Sequence, residues 1–463
     1  MSIAERHSLY AGMLSVGLAT IAGAVIGLPL YGDGAFYFVE ILLTGEPLIP
    51  NGRYSALLPQ LPLLAAMALT EKVTLLRHAF SLGYAALPFM SLLACGLVVR
   101  ETAPWLLLYP ALFLVANQIN FSAISELLMG LYLAWPLLLL AAVRPGARTT
   151  LVFGWMLAPF LLLLHPMAFA LQILFGALGL CIAQSSGVNA TQWYRLSAAY
   201  LGLGLCRLVW SVLGMNSYER SHLEVAPAVA YLMPETATQT ALLGAVLVLG
   251  LLIATGNVRG VGHGARPTGG SWRRHADLSH YALWVSGGLI AVLGLLVAAE
   301  ILAGEGIKLK SALVFPLALM LMALALLDAS RSADSARTRP PAVLFLLLAL
   351  TITMLSLAKT AVWMRATDDL ADALATSTES CVPFGPEEPP ALQYPHMTAV
   401  DNWTAPMTAL VFQSGHPLVL LLPGDGCSTL AETGIAGLTS WYENPLGRLR
   451  QRFGSVSGAG LDP

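Results

Sequence analysis

Charge is scarce in this chain of 463 residues: Asp, Glu, Lys and Arg make up 11% of it, against 57% for the hydrophobic set. Soluble domains carry about 25% charged residues. So little charge cannot cover a soluble surface of this size, which excludes a soluble multi-domain enzyme. So much apolar sequence also excludes a disordered chain. A basic surplus is missing too. The formal net charge is -2 and the basic residues are scattered, which argues against a nucleic-acid partner. Cysteine is sparse, with five residues. Cys95, Cys181 and Cys206 fall inside apolar runs, where a thiol packs as a small hydrophobe. No CxxC pair and no Cys/His cluster suggests a metal site. No cofactor is required by the sequence, and dependence on a divalent cation is left open.

What the chain does have is long apolar sequence. Its mean hydropathy is +0.71, and runs of about 20 apolar residues, enough to cross a bilayer, recur along it. The fold class predicted is an all-α polytopic membrane protein. The segments that qualify as spans are 8–30, 79–99, 103–116, 124–143, 149–164, 167–184, 196–214, 236–256, 281–303, 311–329 and 341–362, about eleven helices. The first follows only Arg6 and His7 and lacks a clear small-residue cleavage site, so it reads as a retained helix. The stretch 55–70 is short for a span and holds Pro59 and Pro62.

Loop charge decides how that stretch is read, because basic residues collect on the cytoplasmic side. With eleven spans and a cytoplasmic N-terminus, the basic loops at 144–148, 257–280 and 330–340 all fall inside. If 55–70 also crossed, every later loop would flip outward. It is therefore expected to lie along the outer interface or dip in partway. Residues 1–362 then form the transmembrane domain, and 363–463 an outer C-terminal domain, small and either α/β or irregular. That tail has one strand-like run, 416–423 (HPLVLLLP). Outside, Cys381 and Cys427 either oxidise to a disulfide or stay as two free thiols. The sequon Asn402-Trp403-Thr404 fits an outer location but is a frequent chance match.

The most informative polar sequence is the first outer loop, 31–78. Asp33 follows the first span directly, flanked by Gly32 and Gly34, which leave the backbone free to turn tightly. Phe36, Tyr37 and Phe38 form an aromatic cluster suited to the interface. Glu40 is seven residues after Asp33, so both share a face of any helix there. A carboxylate at a lipid–water boundary is partly desolvated, which raises its basicity and suits a general base. The plainer reading is that Asp33 caps the short interfacial helix that follows.

The order of these features resembles the C-type (GT-C) membrane glycosyltransferases, nearest in pattern to the aminoarabinose transferase and protein O-mannosyltransferase group. Asp33 matches the catalytic Asp, Thr44-Gly45-Glu46-Pro47 the turn, and Leu58-Pro59-Gln60-Leu61 the Pro run. The stretch 75–87 (LLRHAFSLGYAAL) looks like the approach to the second span, and 117–127 (NQINFSAISEL) like the outer hairpin bearing a second carboxylate, near Glu126 or Ser125. Leu164-His165-Pro166 occupies the place of a Lys-Gly-Pro turn. The match covers about the first 185 residues. Three departures stand out: the family's Asp-Glu is Asp33-Gly34, its acidic residue before the Pro run falls at Leu57, and its turn Lys is His165.

The resemblance implies a reaction on the outer face of a bacterial-type inner membrane. A sugar leaves a polyprenyl-phosphate carrier for a lipid, glycan or protein acceptor, by inversion, with Asp33 as the general base. The partners implied are the lipid-linked donor, membrane lipids and possible partner subunits. The leaving phosphate needs cationic stabilisation, for which the candidates are Arg53, Arg77, His165, Arg207 and Lys359. Arg207 and Lys359 lie inside spans, where charge is costly and often marks a site. Their plainer readings are internal pairing for Arg207 and snorkelling for Lys359. Tyr37, Glu40, Glu126, Glu219 and His222 are the acceptor-side candidates, although a solvated loop would place Glu219 and His222 equally well. Two alternatives stay open. One is a non-catalytic membrane subunit on the same scaffold. The other is a polytopic transporter or flippase, which the lack of a visible internal repeat argues against.

Overall fold

The computed structural model describes residues 3–49, 52–121, 124–186, 189–214, 234–256, 271–304, 314–331, 342–377, 381–384, 404–413, 419–423 and 427. Helix α1 (Ile3–Ile26) leads through a 3-10 turn into α2 (Asp33–Thr44). Then come α3 (Leu57–Met67), α4 (Val73–Val99), α5 (Leu108–Asn117), α6 (Glu126–Val143), α7 (Arg148–Leu162), α8 (Phe169–Ser186) and α9 (Ala190–Leu213). Helices α10 (Ala237–Gly256), α11 (Ser271–Leu302), α12 (Val314–Arg331) and α13 (Ala342–Thr376) complete the bundle. Strand β1 (Cys381–Phe384), helix α14 (Ala405–Phe412) and strand β2 (Leu420–Pro423) follow.

Among the described residues eight helices are long and apolar enough to cross a bilayer: α1, α4, α6, α8, α9, α10, the Leu283–Leu302 part of α11, and α13. Four shorter apolar helices cover Tyr54–Met67, Pro104–Asn117, Arg148–Leu162 and Val314–Ser330. The architecture is all-α and fits a polytopic membrane protein.

Burial explains why one helix can be so short. Every residue of α5 from Leu108 to Ala116 is buried, because α5 sits among α10, α12 and α13. A helix wrapped by protein on all sides carries no apolar stripe; it is apolar all round. Around it, α1 packs along α13 and α4, and α6 along α4 and α12. At the first of these seams a Cβ on Gly12 would press on Phe345 and Ala349, so a small residue lets α1 and α13 approach closely. Helices α7, α8 and α9 form a side group joined to α6.

Helix α13 runs past the expected end of the last span. The apolar run stops at 362, but Trp363, Ala366, Thr367, Leu370 and Leu374 stay buried at helical spacing. Hydropathy alone misses this amphipathic extension, because Asp368, Asp369 and Asp372 interrupt it. Trp363 is fully buried and its indole Nε1 donates to the Gly27 carbonyl at 3.0 Å. Tyr31 and Phe412 meet its ring edge-on. Trp363→Ala is expected to cost about 3–5 kcal/mol, the usual range for deleting a buried aromatic. Thermal unfolding in detergent checks this, and an unchanged midpoint would contradict the packing.

The strand-like run in the tail holds β2, which pairs in parallel with β1, Cys381 opposite Leu420. Cys381 and Cys427 are joined by a disulfide across a separation of 46 residues. Helix α14 packs on α2 and α13. The acceptor candidates Glu219 and His222, the loop residues 257–270 and 332–340, and the sequon residues Asn402 and Trp403 lie outside the described residues.

Candidate functional site: a polar cavity at one end of the bundle

The turn between α1 and α2 sets the site. Gly27 is left-handed with φ 81°, and Gly32 has φ 60°, both backbone shapes that other residues rarely adopt. A Cβ on Gly34 would overlap the Pro29 carbonyl oxygen. Glycine is therefore required at the position where the resembling family carries Glu. Helix α2 is more enclosed than an interfacial helix. Ala35, Phe38 and Ile41 are fully buried; Phe38 stacks edge-on with Phe80 of α4, and α14 covers another side.

A cavity of about 130 Å³ opens between the C-terminal ends of α1 and α5, the start of α6, and the middle of α4 and α13. Glu126 and Lys359 are the charged residues among those that line it. Glu126 opens the first turn of α6, a position that suits a carboxylate. Its Oε1 accepts from the Tyr37 hydroxyl at 2.9 Å, and its Oε2 meets the Arg53 guanidinium at 3.4 Å. Burial, then the charge of Glu126 and its hydrogen bond, then the charge of Asp33, push the Tyr37 hydroxyl well above its ordinary pKa. It stays protonated and serves as a donor.

The opposite end is cationic. Lys359 is 5% exposed, and its Nζ donates to the Asn120 carbonyl at 3.0 Å. Amides surround it. Asn120 Nδ2 donates to Asn117 Oδ1 at 2.9 Å, and Asn117 Nδ2 to the Tyr132 hydroxyl at 2.8 Å. Ser356 donates to Gln118 Oε1 at 3.2 Å. Asn120 Oδ1 is buried without a hydrogen bond among the described residues. These amides are the part of the site that the sequence did not single out. The signal was a cluster of Asn117, Gln118 and Asn120 at the end of an otherwise apolar helix.

The sequence candidates separate into groups. Tyr37, Glu126 and Lys359 line the cavity, and Arg53 reaches it through Glu126. Asp33 is half-buried in the first turn of α2, four residues before Tyr37, and does not line the cavity. Glu40 is half-buried on α2 with its carboxyl raised by desolvation, also away from the lining. Arg77 lies with its guanidinium carbon 4.7 Å from the Phe412 ring centre, facing the tail helix. Arg207 is 4% exposed, donates to the Leu164 carbonyl at 3.3 Å and stacks over Trp210. Gln60 is fully buried and bonds both backbone groups of Leu48, which pins the segment beyond α2. Among the described residues no group of three or more His, Cys, Asp or Glu comes together.

No family model, curated protein or solved structure matches this chain. The chemistry of the site rests on its own residues.

His165 departs from its expected part. Ser55 ties the 53–56 turn to the end of α7 through the Leu163 and Phe160 carbonyls, which brings Arg53 toward His165. Burial, then Arg53, then Arg207 hold the imidazole down at about pKa 3. Its Nδ1 accepts from the Met167 backbone N–H at 3.2 Å, the bond of a neutral ring. It supplies no positive charge near neutrality, because burial and then two nearby guanidiniums disfavour the charged ring. The consequence for stability has a definite sign. The unfolded chain takes up this proton near the ordinary 6.5, while the folded chain resists down to about 3. The contribution is complete above pH 6.5 and is lost progressively as pH falls toward 3. By pH 5 the loss amounts to at most about 2 kcal/mol. His165→Asn should flatten the fall in melting temperature between pH 7.5 and pH 5; an identical fall in the variant would refute this.

Proposed function

We propose that this chain is a membrane glycosyltransferase of the GT-C kind. It moves a sugar from a polyprenyl-phosphate donor to a lipid, glycan or protein acceptor on the outer face of a bacterial-type inner membrane. In this reading eleven helices span, the eight long ones plus α5, α7 and α12. Helix α3 lies at the outer boundary, the N-terminus is cytoplasmic, and the residues beyond α13 form an outer cap. Two features support this topology. The cavity lies where α1 and α5 end and α6 begins, beside the middle of α13, which is toward the outer end in that arrangement. The Cys381–Cys427 disulfide suits an oxidising exterior.

One observation carries the chemical reading: a carboxylate, Glu126, held by Tyr37 and Arg53 in the wall of a membrane-end cavity. In the reaction a carboxylate takes the proton of the acceptor hydroxyl. The acceptor oxygen bonds to the anomeric carbon as the carbon–oxygen bond to phosphate breaks, with inversion. The bonding pair leaves on the phosphate. Glu126 is the carboxylate that faces the cavity. Asp33, one helical turn from Tyr37, acts on it through that hydroxyl. The test is sugar transfer in proteoliposomes supplied with polyprenyl-phosphate sugars, comparing Glu126→Gln and Asp33→Asn with the unmodified chain. A second reading, a non-catalytic subunit on the same scaffold, draws on the place of Asp33 outside the cavity lining. Folded protein without transfer that co-purifies with a larger complex would favour it.

A further inference from the structure

Lys359 is a buried ammonium without a counter-ion among the described residues. It sits in a helix long and apolar enough to span the membrane, 5% exposed, and one backbone carbonyl takes one of its three protons. The other charge in the cavity wall, Glu126, is already matched by Arg53 and bonded by Tyr37. In such surroundings an unpaired ammonium is costly, and an anion that pairs with it keeps it charged. Simple snorkelling does not relieve it, because the head lines an internal cavity.

We propose that the Lys359 end of the cavity is an anion subsite that takes the phosphate of a lipid phosphate ester. The two remaining ammonium protons are free to donate to one tetrahedral oxyanion. A phosphate with its several oxygens accepts both. Part of the wall is apolar: Ala19 and Gly23 from α1, Leu87 and Pro88 from α4, and Leu128 and Met129 from α6. That lining suits a hydrocarbon chain attached to the anion. The subsite deepens the proposed function by naming the side chain that holds the carrier's phosphate. Its test reads binding alone, so either idea fails without the other.

The full chain is purified in a neutral detergent and titrated with farnesyl phosphate, inorganic phosphate and farnesol, with binding read as a thermal shift and by native mass spectrometry. Farnesyl phosphate is expected to bind, and Lys359→Met to weaken it at least tenfold. Ser356→Asp supplies an internal counter-ion three residues away on the same helix face, and should weaken binding by a similar factor. This second variant decides the matter if Lys359→Met does not fold. Equal binding of inorganic phosphate, lost in the same variants, upholds the subsite with a soluble anion as its source. Farnesol binding as tightly as farnesyl phosphate overturns the proposal. So does undiminished farnesyl phosphate binding in the folded variants.

Discussion

Glu126→Gln is expected to reduce sugar transfer about 10²–10⁴-fold, the range supplied by a positioned general base. The substitution keeps the shape of the side chain and keeps an oxygen for the Tyr37 hydroxyl, so the cavity persists. It removes the negative charge and the lone pair that takes the acceptor's proton. Arg53 then faces an amide in a largely enclosed position, its side chain 15% exposed. A lower melting temperature therefore accompanies the loss, and the comparison is made below that midpoint. Asp33→Asn separates the two carboxylates. A partial decrease fits a charge that acts through Tyr37. Full transfer in Glu126→Gln together with none in Asp33→Asn would return the base to Asp33. Full transfer in both would remove the carboxylate mechanism altogether.

Introducing a Glu beside Asp33 by Gly34→Glu is expected to prevent correct folding. The new Cβ would overlap the Pro29 carbonyl oxygen, which is backbone and cannot rotate away. The cost reaches or exceeds the top of the about 1–3 kcal/mol typical of overpacking. Melting temperature and the yield of monodisperse protein report it. Gly244→Ala, where a Cβ meets nothing within 4 Å, is the control. It should be neutral or stabilise by up to about 1 kcal/mol through helix propensity. A Gly34→Glu protein that melts like the unmodified chain would mean that α2 does not start against Pro29.

Much of the bundle was legible in the sequence because a helix in lipid must satisfy its own backbone and cover itself with apolar side chains. That rule leaves a run of residues visible in the sequence at every long span. It fails where protein replaces lipid. The extension of α13 through Trp363 to Leu374 carries acidic residues on its open face, so its hydropathy drops while the helix continues. The enclosure of α2 was hidden for the same reason, since α14 from a distant part of the chain covers it.

The site divides along similar lines. Glu126 and Tyr37 were named from their order along the chain, yet only folding joins residues 89 apart in one hydrogen bond. His165 shows the limit most directly. Its residue type suggests a cation, but the loss of water, and then two arginines brought in from positions 53 and 207, hold it neutral.

By itself the sequence determined that the chain is helical, apolar and built of repeated long segments, because lipid-length hydrophobic runs leave few alternatives. It also determined which polar residues were available. The tertiary structure decided which of them meet. It set Lys359 against the Asn120 carbonyl, Glu126 between Tyr37 and Arg53, and Asp33 behind that pair. Those partners lie on different helices. Charge and hydrogen bonding depend on distances that only the packed chain defines.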